Sequence, residues 1–294
     1  MITHKKITFL GGDERQITAA KMLSADGYPV SVFVEERTDD GNAVTQCDSL
    51  WGALKNADIV ILPLPVSVDG VLLNAPFLKA EQITISEVAD RITCGTLVIG
   101  GRLPDILLQA LEKKGVRAVD YFKSEAFQIE NAYTTSEAAL SIAMNNLKRN
   151  IRGARFAVTG YGRIARTLTK LLLKLGANVC VLARKESDLA WAKLAGATSK
   201  RLCDDSVMSL AEGYDIIFNT VPTWLFFEDL LAAIDKKTLI IDLASSPGGV
   251  DVSAAKKLSS KVLWASSLPG KYAPESAGEL IAQCIEKIIS EVEV

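Results

Sequence analysis

The stretch that decides the fold is Arg155-Phe-Ala-Val-Thr-Gly160-Tyr-Gly162-Arg-Ile-Ala165, near the middle of a 294-residue chain. A short apolar run ends there in the pattern Gly-x-Gly-x-x-Ala and opens a segment whose leucines recur at helical spacing. A strand, a glycine turn and a helix in this order are typical of dinucleotide-binding domains. Gly160 permits the tight turn, Gly162 lets the backbone approach a pyrophosphate, and Ala165 keeps the helix close to the strand.

A second predicted strand, Leu175–Ala183, follows this helix and completes a strand–helix–strand unit. The glycine pattern alone matches many turns by chance, so the alternative is a glycine turn that only packs. We expect a nucleotide site, because the helix N-terminus offers backbone N–H groups to phosphates. The residues around the two glycines are assigned to the same site: Tyr161, Arg163 and Ile164.

The end of this second strand bears on the type of cofactor. An NAD-binding domain usually carries an acid there for the ribose 2′-hydroxyl, whereas this chain has Ala183-Arg184-Lys185. A cation at Arg184 suits a 2′-phosphate, so NADP is favoured and NAD stays possible. The alternatives are that Arg184 and Lys185 are ordinary solvated charges, or that Glu186 reaches the ribose.

Composition and charge exclude several classes of protein. The net charge of -2 gives no reason to expect nucleic acid or an anionic membrane as a partner. Apolar runs are of strand length and no signal peptide is evident, so no membrane segment is predicted. Five scattered cysteines indicate reduced thiols in a cytoplasm. His4 is the only histidine, which argues against a metal site and against histidine acid–base catalysis.

Strands that alternate with helices along the whole chain predict an α/β protein with two doubly wound parallel-sheet domains. We expect a flavodoxin-like substrate domain at 1–130 and a Rossmann NAD(P)-binding domain at 151–274. Residues 131–150 are predicted to form the connecting helix, with Thr135 or Ser136 as its N-cap. The amphipathic helix 275–292 is expected to pack back on the first domain.

Ligands of open α/β sheets bind at the carboxyl ends of the strands. In the second domain these ends supply the further cofactor candidates Asn219, Thr220, Val221, Pro222, Asp242, Ala244 and Ser245. The segment that begins at Asn219 is expected to cover the nicotinamide ribose, unless it is a plain strand-end turn. Asp242 either contacts the ligand or orients the following loop through backbone N–H groups.

In the first domain the strand ends supply the substrate candidates Arg15, Ser67, Arg102 and Glu125. Guanidinium groups at Arg15 and Arg102 would grip carboxylates in bidentate fashion. The alternative is that both are surface cations at helix starts, where the helix dipole disfavours positive charge.

Together these motifs resemble the family formed by the A subunits of dipicolinate synthase. The resemblance spans nearly the whole chain in order, through Gly11-Gly12-Asp13-x-Arg15-Gln16, Gly160-x-Gly162-Arg163, Asn219-Thr-x-Pro222, Asp242-Leu-Ala-Ser-x-Pro247-Gly248-Gly249-x-Asp251 and Leu268-Pro269-Gly270-x-x-Ala273-Pro274-x-x-Ala277-Gly278.

The resemblance implies an NAD(P)-dependent oxidoreductase component that forms dipicolinate from a dihydrodipicolinate-type precursor, on a branch of the lysine pathway. It implies a small dicarboxylate substrate, a partner in the form of a flavoprotein-like B subunit, and the mother cell of a sporulating bacterium as location. A homo-oligomer is also expected. Catalytic residues stay unassigned, since Glu125, Glu137, Lys271 and water are all open as the proton acceptor.

Two other functions remain possible at this point. One is another two-domain NAD(P) dehydrogenase, although the hydroxyacid type normally needs a histidine–carboxylate pair. The other is a nucleotide-binding regulatory subunit whose partner carries out the chemistry.

Overall fold

A computed structural model describes residues 5–34, 44–78 and 82–292 of the chain, and the side chains of residues 204 and 205 are not among what is described. His4 therefore lies outside the described residues. The strands in chain order are β1 Ile7–Leu10, β2 Val30–Phe33, β3 Thr45–Gln46, β4 Ile59–Ile61, β5 Leu97–Gly100, β6 Arg117–Asp120, β7 Arg155–Thr159, β8 Asn178–Ala183, β9 Thr198–Arg201, β10 Ile216–Asn219, β11 Leu239–Asp242 and β12 Lys261–Trp264.

The helices lie between these strands and after the last one. They are α1 Glu14–Ala25, α2 Leu50–Leu54, α3 Ile85–Arg91, α4 Asp105–Lys113, α5 Glu125–Asn146, α6 Arg163–Lys174, α7 Glu186–Leu194, α8 Asp204–Val207, α9 Glu228–Ala233, α10 Val252–Lys257, α11 Leu268–Tyr272 and α12 Pro274–Val292. Short 3₁₀ turns occupy Tyr121–Lys123 and Met208–Ala211. No helix in the described part of the chain is long and apolar enough to cross a membrane.

The chain divides into two compact units. The first unit contains the residues up to Glu130 and those from Ala273 onward, and the second runs from Asn131 to Tyr272. Among the described residues each unit has one six-stranded parallel sheet, in the orders β3-β2-β1-β4-β5-β6 and β12-β11-β10-β7-β8-β9. The predicted α/β class with two doubly wound sheets is confirmed.

Both sheets have the same strand order when each is numbered from its own first strand. The two-residue strand β3 is the edge strand of the first sheet. Without β3 the order of that sheet reduces to the flavodoxin order, which is why the sequence indicates a flavodoxin-like domain. Strands β3 and β9, which each form one edge of a sheet, were not predicted from the sequence, because their residues are polar and partly exposed.

The central strands are apolar because helices cover both faces of each sheet. In the first unit, alternate residues of β1 contribute to two separate cores, with Ile7 and Phe9 in one and Leu10 in the other. In the second unit Phe156 and Phe218 stack on neighbouring strands with their ring centroids 6.0 Å apart. Rigid sheets of this kind hold the strand ends, where the candidate residues lie, in fixed positions.

The connecting helix differs from its prediction. Helix α5 begins at Glu125, ten residues before the expected N-cap, and ends at Asn146. Thr135 and Ser136 therefore lie inside the helix, where their hydroxyls donate to the carbonyls of Asn131 and Ala132 four residues earlier. The Ser124 hydroxyl accepts from the N–H of Phe127 and caps the true N-terminus. A threonine or serine whose hydroxyl bonds to a carbonyl within the helix cannot be distinguished from an N-cap residue by sequence pattern alone.

Helix α12 packs on α1 within the first unit. Apolar side chains of α12, including Ile281, Ile285 and Ile289, share a core with Ala19, Ala20 and Leu23 of α1. The two helices approach so closely at Gly278 that a Cβ there would lie 2.6 Å from the Cβ of Thr18. Since α1 begins at the end of β1, this contact supports the strand-end edge of the first unit.

Candidate functional site

The turn between β7 and α6 contains two glycines with different surroundings. Gly160 has a φ of +86°, and a Cβ on it would lie 2.6 Å from the hydroxyl oxygen of Thr220. Gly162 is the N-cap of α6, and a Cβ there would meet no atom within 4 Å. The first glycine is therefore required by the protein's own packing. The second leaves space beside a helix N-terminus, as the approach of a pyrophosphate requires.

The rest of this turn is held by side chains from α6. Arg166 donates through Nε to the carbonyl of Tyr161 at 2.9 Å and through Nη2 to Asp188 at 2.9 Å. Its guanidinium also lies over the Tyr161 ring, 5.4 Å from the centroid. Burial raises the pKa of Tyr161, and Arg166 partly opposes this effect. Arg166 is a positioning residue that the sequence analysis missed, because its partner Asp188 lies on another helix.

The first turn of α6 is held by contacts on the side that faces the core of the second unit. Ala165, the third position of the glycine pattern, is fully buried in the core of the second unit. The carbonyl of Ile164 accepts from the Ser136 hydroxyl of α5 at 3.2 Å. Arg163, the first residue of α6, is exposed. These contacts fix the direction in which the helix N-terminus points.

Arg184 follows the last residue of β8 and is exposed. Within the described parts of the chain its side chain makes no hydrogen bond or ion pair. The neighbouring acid Glu186 instead pairs with Arg201, with 3.6 Å between the charged atoms. The carboxylate that would favour a 2′-hydroxyl thus lies near another cation in an exposed pair, which is weak in water, while Arg184 has no such partner among the described residues.

Asn219, at the end of β10, is fully buried and joins three strand ends. Its Oδ1 accepts from the Thr159 hydroxyl at 2.6 Å and from the N–H of Val221 at 3.1 Å. Its Nδ2 donates to Asp242 Oδ1 at 2.8 Å and to the Val221 carbonyl at 3.1 Å. The Thr220 hydroxyl donates to the Thr159 carbonyl at 2.7 Å, directly over Gly160. Asn219 therefore shapes the turn of Val221 and exposed Pro222.

Asp242 is 1% exposed and holds the loop after β11. Its two carboxylate oxygens accept from the N–H groups of Ala244 at 3.1 Å and Gly249 at 2.8 Å. A Cβ on Gly249 would lie 2.2 Å from Asn219 Nδ2, so only glycine fits there. Of the two roles left open by the sequence, the contacts of Asp242 are those of loop orientation. Ser245, also a cofactor candidate, is exposed on this loop.

Arg15 lies at the start of α1 in the first unit and is largely buried. Its Nε and Nη2 donate to the two carboxylate oxygens of Asp13 at 2.9 and 2.8 Å. Nη2 also donates to the Leu64 carbonyl at 2.7 Å. The bidentate partner of this guanidinium is therefore Asp13, and Arg15 joins the ends of β1 and β4.

Both the backbone and the guanidinium of Arg102 are held in place by neighbouring residues. Its φ of +57° is unusual for a residue with a side chain. Asp120 maintains this conformation by accepting from the N–H groups of Arg102 and Leu103 at 3.0 and 3.1 Å. The guanidinium lies 4.4 Å above the centroid of the Phe122 ring. Strained backbone that its surroundings enforce is frequent at binding sites.

The other two substrate candidates have different surroundings. The Ser67 hydroxyl donates to the Leu72 carbonyl at 2.6 Å and accepts from the N–H of Gly70 at 2.9 Å, so it stabilises its own loop. Glu125 is exposed in the first turn of α5. Among the described residues no group of three histidine, cysteine, aspartate or glutamate side chains is arranged to hold a metal ion.

Both units match known protein families. Residues 6–122 match the family model for the N-terminal domain of the A subunit of dipicolinate synthase. Residues 155–246 match the family described as NADP oxidoreductase, coenzyme F420-dependent. The A subunit of dipicolinate synthase from Bacillus subtilis (strain 168) is 29% identical over 298 residues, which cover 100% of this chain and 98% of that protein.

Two crystal structures of such subunits are similar over almost the whole chain. The A subunit from Bacillus halodurans has a TM-score of 0.85 at 27% identity, with 98% of each chain covered. The corresponding chain from Bacillus subtilis has a TM-score of 0.84 at 28% identity, and the match covers 100% of this chain and 98% of that one. The resemblance that the sequence motifs indicate is confirmed.

Proposed function

Since this chain belongs to the family of dipicolinate synthase A subunits, we propose that it is the nicotinamide-binding subunit of an oxidoreductase that forms dipicolinate. The observation that carries the proposal is the turn at Gly160 and Gly162, which leaves room for a pyrophosphate at the start of α6. In this role the second unit binds the cofactor, and the first unit binds a dihydrodipicolinate-type dicarboxylate.

The residues of the second unit fit a dinucleotide. The α6 N-terminus and the backbone at Gly162 would hold the pyrophosphate, and the turn at Thr220 and Val221 would lie beside the nicotinamide ribose. Asn219 and Asp242 contribute by fixing the loops after β10 and β11 through buried hydrogen bonds. A bound nicotinamide supplies the hydride acceptor for the reaction.

The end of β8 supports NADP over NAD. Exposed Arg184 has no partner in the described parts of the chain, and the nearby carboxylate of Glu186 lies 3.6 Å from the Arg201 guanidinium. A 2′-phosphate would meet a cation there, and a 2′-hydroxyl would lack the usual acidic partner. We therefore propose NADP as the physiological cofactor.

The proposed reaction converts a dihydropyridine dicarboxylate into the aromatic pyridine. The ring loses one hydride, which carries both electrons, and one proton. Aromatisation supplies driving force, so a weak proton acceptor suffices; Glu125, Glu137, Lys271 and water remain the candidates. Arg102, oriented by Asp120 and Phe122, would bind one substrate carboxylate.

Family membership also supports the wider setting of the proposal. It includes a partner of the flavoprotein-like B type, a homo-oligomeric state for this chain, and action in the cytoplasm of the mother cell during sporulation. The precursor would come from a branch of the lysine pathway.

The test combines the purified chain with freshly generated hydroxytetrahydrodipicolinate, which loses water to give the dihydropyridine, and either NADP or NAD. Each mixture is measured with and without the B subunit. Reduced-nicotinamide absorbance and dipicolinate formation are followed together. We expect both products to increase in equal amounts and faster with NADP.

Tight nucleotide binding without turnover, even in the presence of the B subunit, would contradict an enzymatic role and favour a regulatory subunit. Turnover of another hydroxyacid or amino acid with no dipicolinate would instead identify a different dehydrogenase. A mixture without this chain is the control for spontaneous oxidation of the dihydropyridine.

A further inference from the structure

Four side-chain polar atoms of the first unit are buried without a hydrogen-bond partner among the described residues: the hydroxyl oxygen of Thr8, Oε1 and Nε2 of Gln16, and the hydroxyl oxygen of Tyr121. Thr8 lies within β1, whereas Gln16 and Tyr121 lie beyond the ends of strands. Gln16 and Tyr121 are each 1% exposed. Most buried polar groups in proteins are paired, and an unpaired one costs free energy. Two such side chains in one region therefore require a functional or structural reason.

Gln16 and Tyr121 lie at the same edge of the first sheet, where its strands end. A Cβ on Gly12 would lie 2.2 Å from Gln16 Cγ and 3.2 Å from Pro63 Cβ, so Gln16 covers the end of β1 beside β4. A Cβ on Gly101 would lie 2.9 Å from both Leu64 Cβ and Tyr121 Cε2. Since Pro63 and Leu64 are consecutive, Gln16 and Tyr121 both lie close to the segment that follows β4.

Arg15, which precedes Gln16 in α1, differs from these two groups in being paired. It binds Asp13 and the carbonyl of Leu64. Burial raises the pKa of the Tyr121 hydroxyl, although Arg15 opposes this effect. The phenol therefore keeps its proton at any physiological pH and serves as a hydrogen-bond donor. The Gln16 amide supplies two further donor hydrogens and an acceptor.

We propose that the Gln16 amide and the Tyr121 hydroxyl bind the substrate dicarboxylate by donating hydrogen bonds to its carboxylate oxygens. This inference rests on the proposed function and adds two recognition residues to it. Arg15 becomes a positioning residue, because its pairing with Asp13 and Leu64 fixes the start of α1 on which Gln16 lies. Carboxylates at this edge of the sheet would supply the partners that the protein itself does not give Gln16 and Tyr121.

The test uses the full-length chain and dipicolinate itself, which is stable, as the probe. Tyr121→Phe removes one oxygen and keeps the ring that packs 5.0 Å from Phe127. Gln16→Met keeps the shape of the side chain over Gly12. Thr8→Val is the matched control, since Thr8 is a fully buried residue of β1 whose hydroxyl also lacks a partner in the described part of the chain.

Melting temperature without ligand, the dissociation constant for dipicolinate and that for NADPH are measured for each protein. All three substitutions should leave the melting temperature unchanged or higher, because they remove an unpaired polar group. Tyr121→Phe and Gln16→Met should each weaken dipicolinate binding by about tenfold or more, the size of one hydrogen bond to a charged group. Thr8→Val should not, and NADPH binding should stay constant in all.

The outcomes separate this inference from the proposed function. If the wild-type chain binds dipicolinate and both variants bind it equally well, the inference is wrong and a buried water is the better partner for these atoms. If the wild-type chain binds NADPH but no dipicolinate, with or without the cofactor, the proposed function itself fails. Should Gln16→Met not fold, Tyr121→Phe decides alone.

Discussion

Gly160 and Gly162 stand two positions apart, yet they are required for different reasons. The conformation and surroundings of Gly160 exclude a side chain in the protein alone. At Gly162 the φ is −78°, which any residue adopts, and a Cβ would enter open space. Only a ligand would meet a methyl group there. The pair therefore separates the requirements of folding from those of cofactor binding.

Gly162→Ala should keep the melting temperature of wild type and weaken NADPH binding by at least about tenfold, because its methyl group occupies space needed by the pyrophosphate. Gly160→Ala should lower stability by about 2 kcal/mol, through a positive φ and a clash with Thr220. Thermal unfolding without ligand and NADPH fluorescence titration measure both effects. Normal NADPH affinity in Gly162→Ala would contradict the assignment of this turn.

Arg184 decides the proposed preference for a 2′-phosphate. Arg184→Ser should weaken NADPH binding by about tenfold, the size of a charged hydrogen bond, and leave NADH binding within about twofold. Lys193→Ser is the control, since Lys193 is also exposed but lies in the last turn of α7. Dissociation constants for both nucleotides give the answer. An equal loss of affinity for NADPH and NADH would show that Arg184 does not recognise the 2′-phosphate.

At the scale of elements, the contact between α1 and α12 supports the proposed substrate edge. Gly278 costs helix stability, because alanine is favoured over glycine in a helix interior by about 1 kcal/mol. The close approach of Thr18 and of the Arg15 carbonyl, 2.8 Å from a Cβ at this position, outweighs that preference. Packing between α1 and α12 therefore decides whether a substitution at Gly278 stabilises or destabilises the protein.

Gly278→Ala is expected to destabilise the protein by about 1–3 kcal/mol despite its better helix propensity, as overpacking does in a dense core. Chemical denaturation followed by circular dichroism measures the change. Glu279→Ala, at the exposed neighbouring position, should be neutral. A stabilised Gly278→Ala protein would mean that α12 moves away from α1 at little cost.

The same helix pair contains a pH-dependent contact. The pKa of Glu286 is raised by burial and by the charge and hydrogen bond of Asp26. An acid with a raised folded-state pKa stabilises the fold below its unfolded pKa and loses that contribution as pH rises through the folded value. At neutral pH the two carboxylates therefore repel each other between α1 and α12.

Glu286→Gln should raise the melting temperature at pH 7, where the wild-type side chain is charged, and give little or no gain near pH 4. The measurement is a series of thermal unfolding curves from pH 4 to pH 8. Glu279→Gln, exposed on the same helix, is the matched control for loss of a charge. A gain that is constant across this pH range would exclude the Asp26 contact as its cause.

At the scale of the whole molecule, the two units have one strand order and different strand ends. The second unit has a glycine turn at the edge where its strands end and an Asn219–Asp242 pair that holds its loops, whereas the first has the Asp13–Arg15 ion pair next to Gln16. We expect hydrogen exchange to separate their roles. NADPH should protect backbone amides near residues 159–166, 219–222 and 242–249, and dipicolinate those near 12–16, 101–103 and 121.

Exchange followed by mass spectrometry on the full-length chain, with each ligand alone and both together, tests this division. Gly162→Ala serves as the control that should remove NADPH protection only. Protection of the second unit alone by dipicolinate would contradict a substrate role for the first unit.

Much of this protein is determined by local sequence. The glycine turn at Gly160, the buried strands and the amphipathic α12 were all predicted, because each depends on residues a few positions apart. The short edge strands β3 and β9 were missed, since they lack an apolar pattern of sufficient length. Helix α3 was missed although its sequence has apolar residues at helical spacing and a capping box at Thr84 and Glu87. The start of α5 was placed too late, because Thr135 and Ser136 look like caps in sequence.

Only the tertiary structure decided which polar side chains are engaged and which are not. Substrate binding by Arg15 stays a prediction, and the structure adds that its guanidinium binds Asp13 and the carbonyl of Leu64, 49 positions away. Asp242 binds Gly249 and Asn219 across loops that the fold brings together. The buried amide of Gln16, whose two polar atoms have no partner among the described residues, was not singled out from the sequence, because such an amide has no sequence signature. Hydrogen bonds between distant strand ends form only once the sheet has packed, whereas a glycine turn is determined by the few residues that form it.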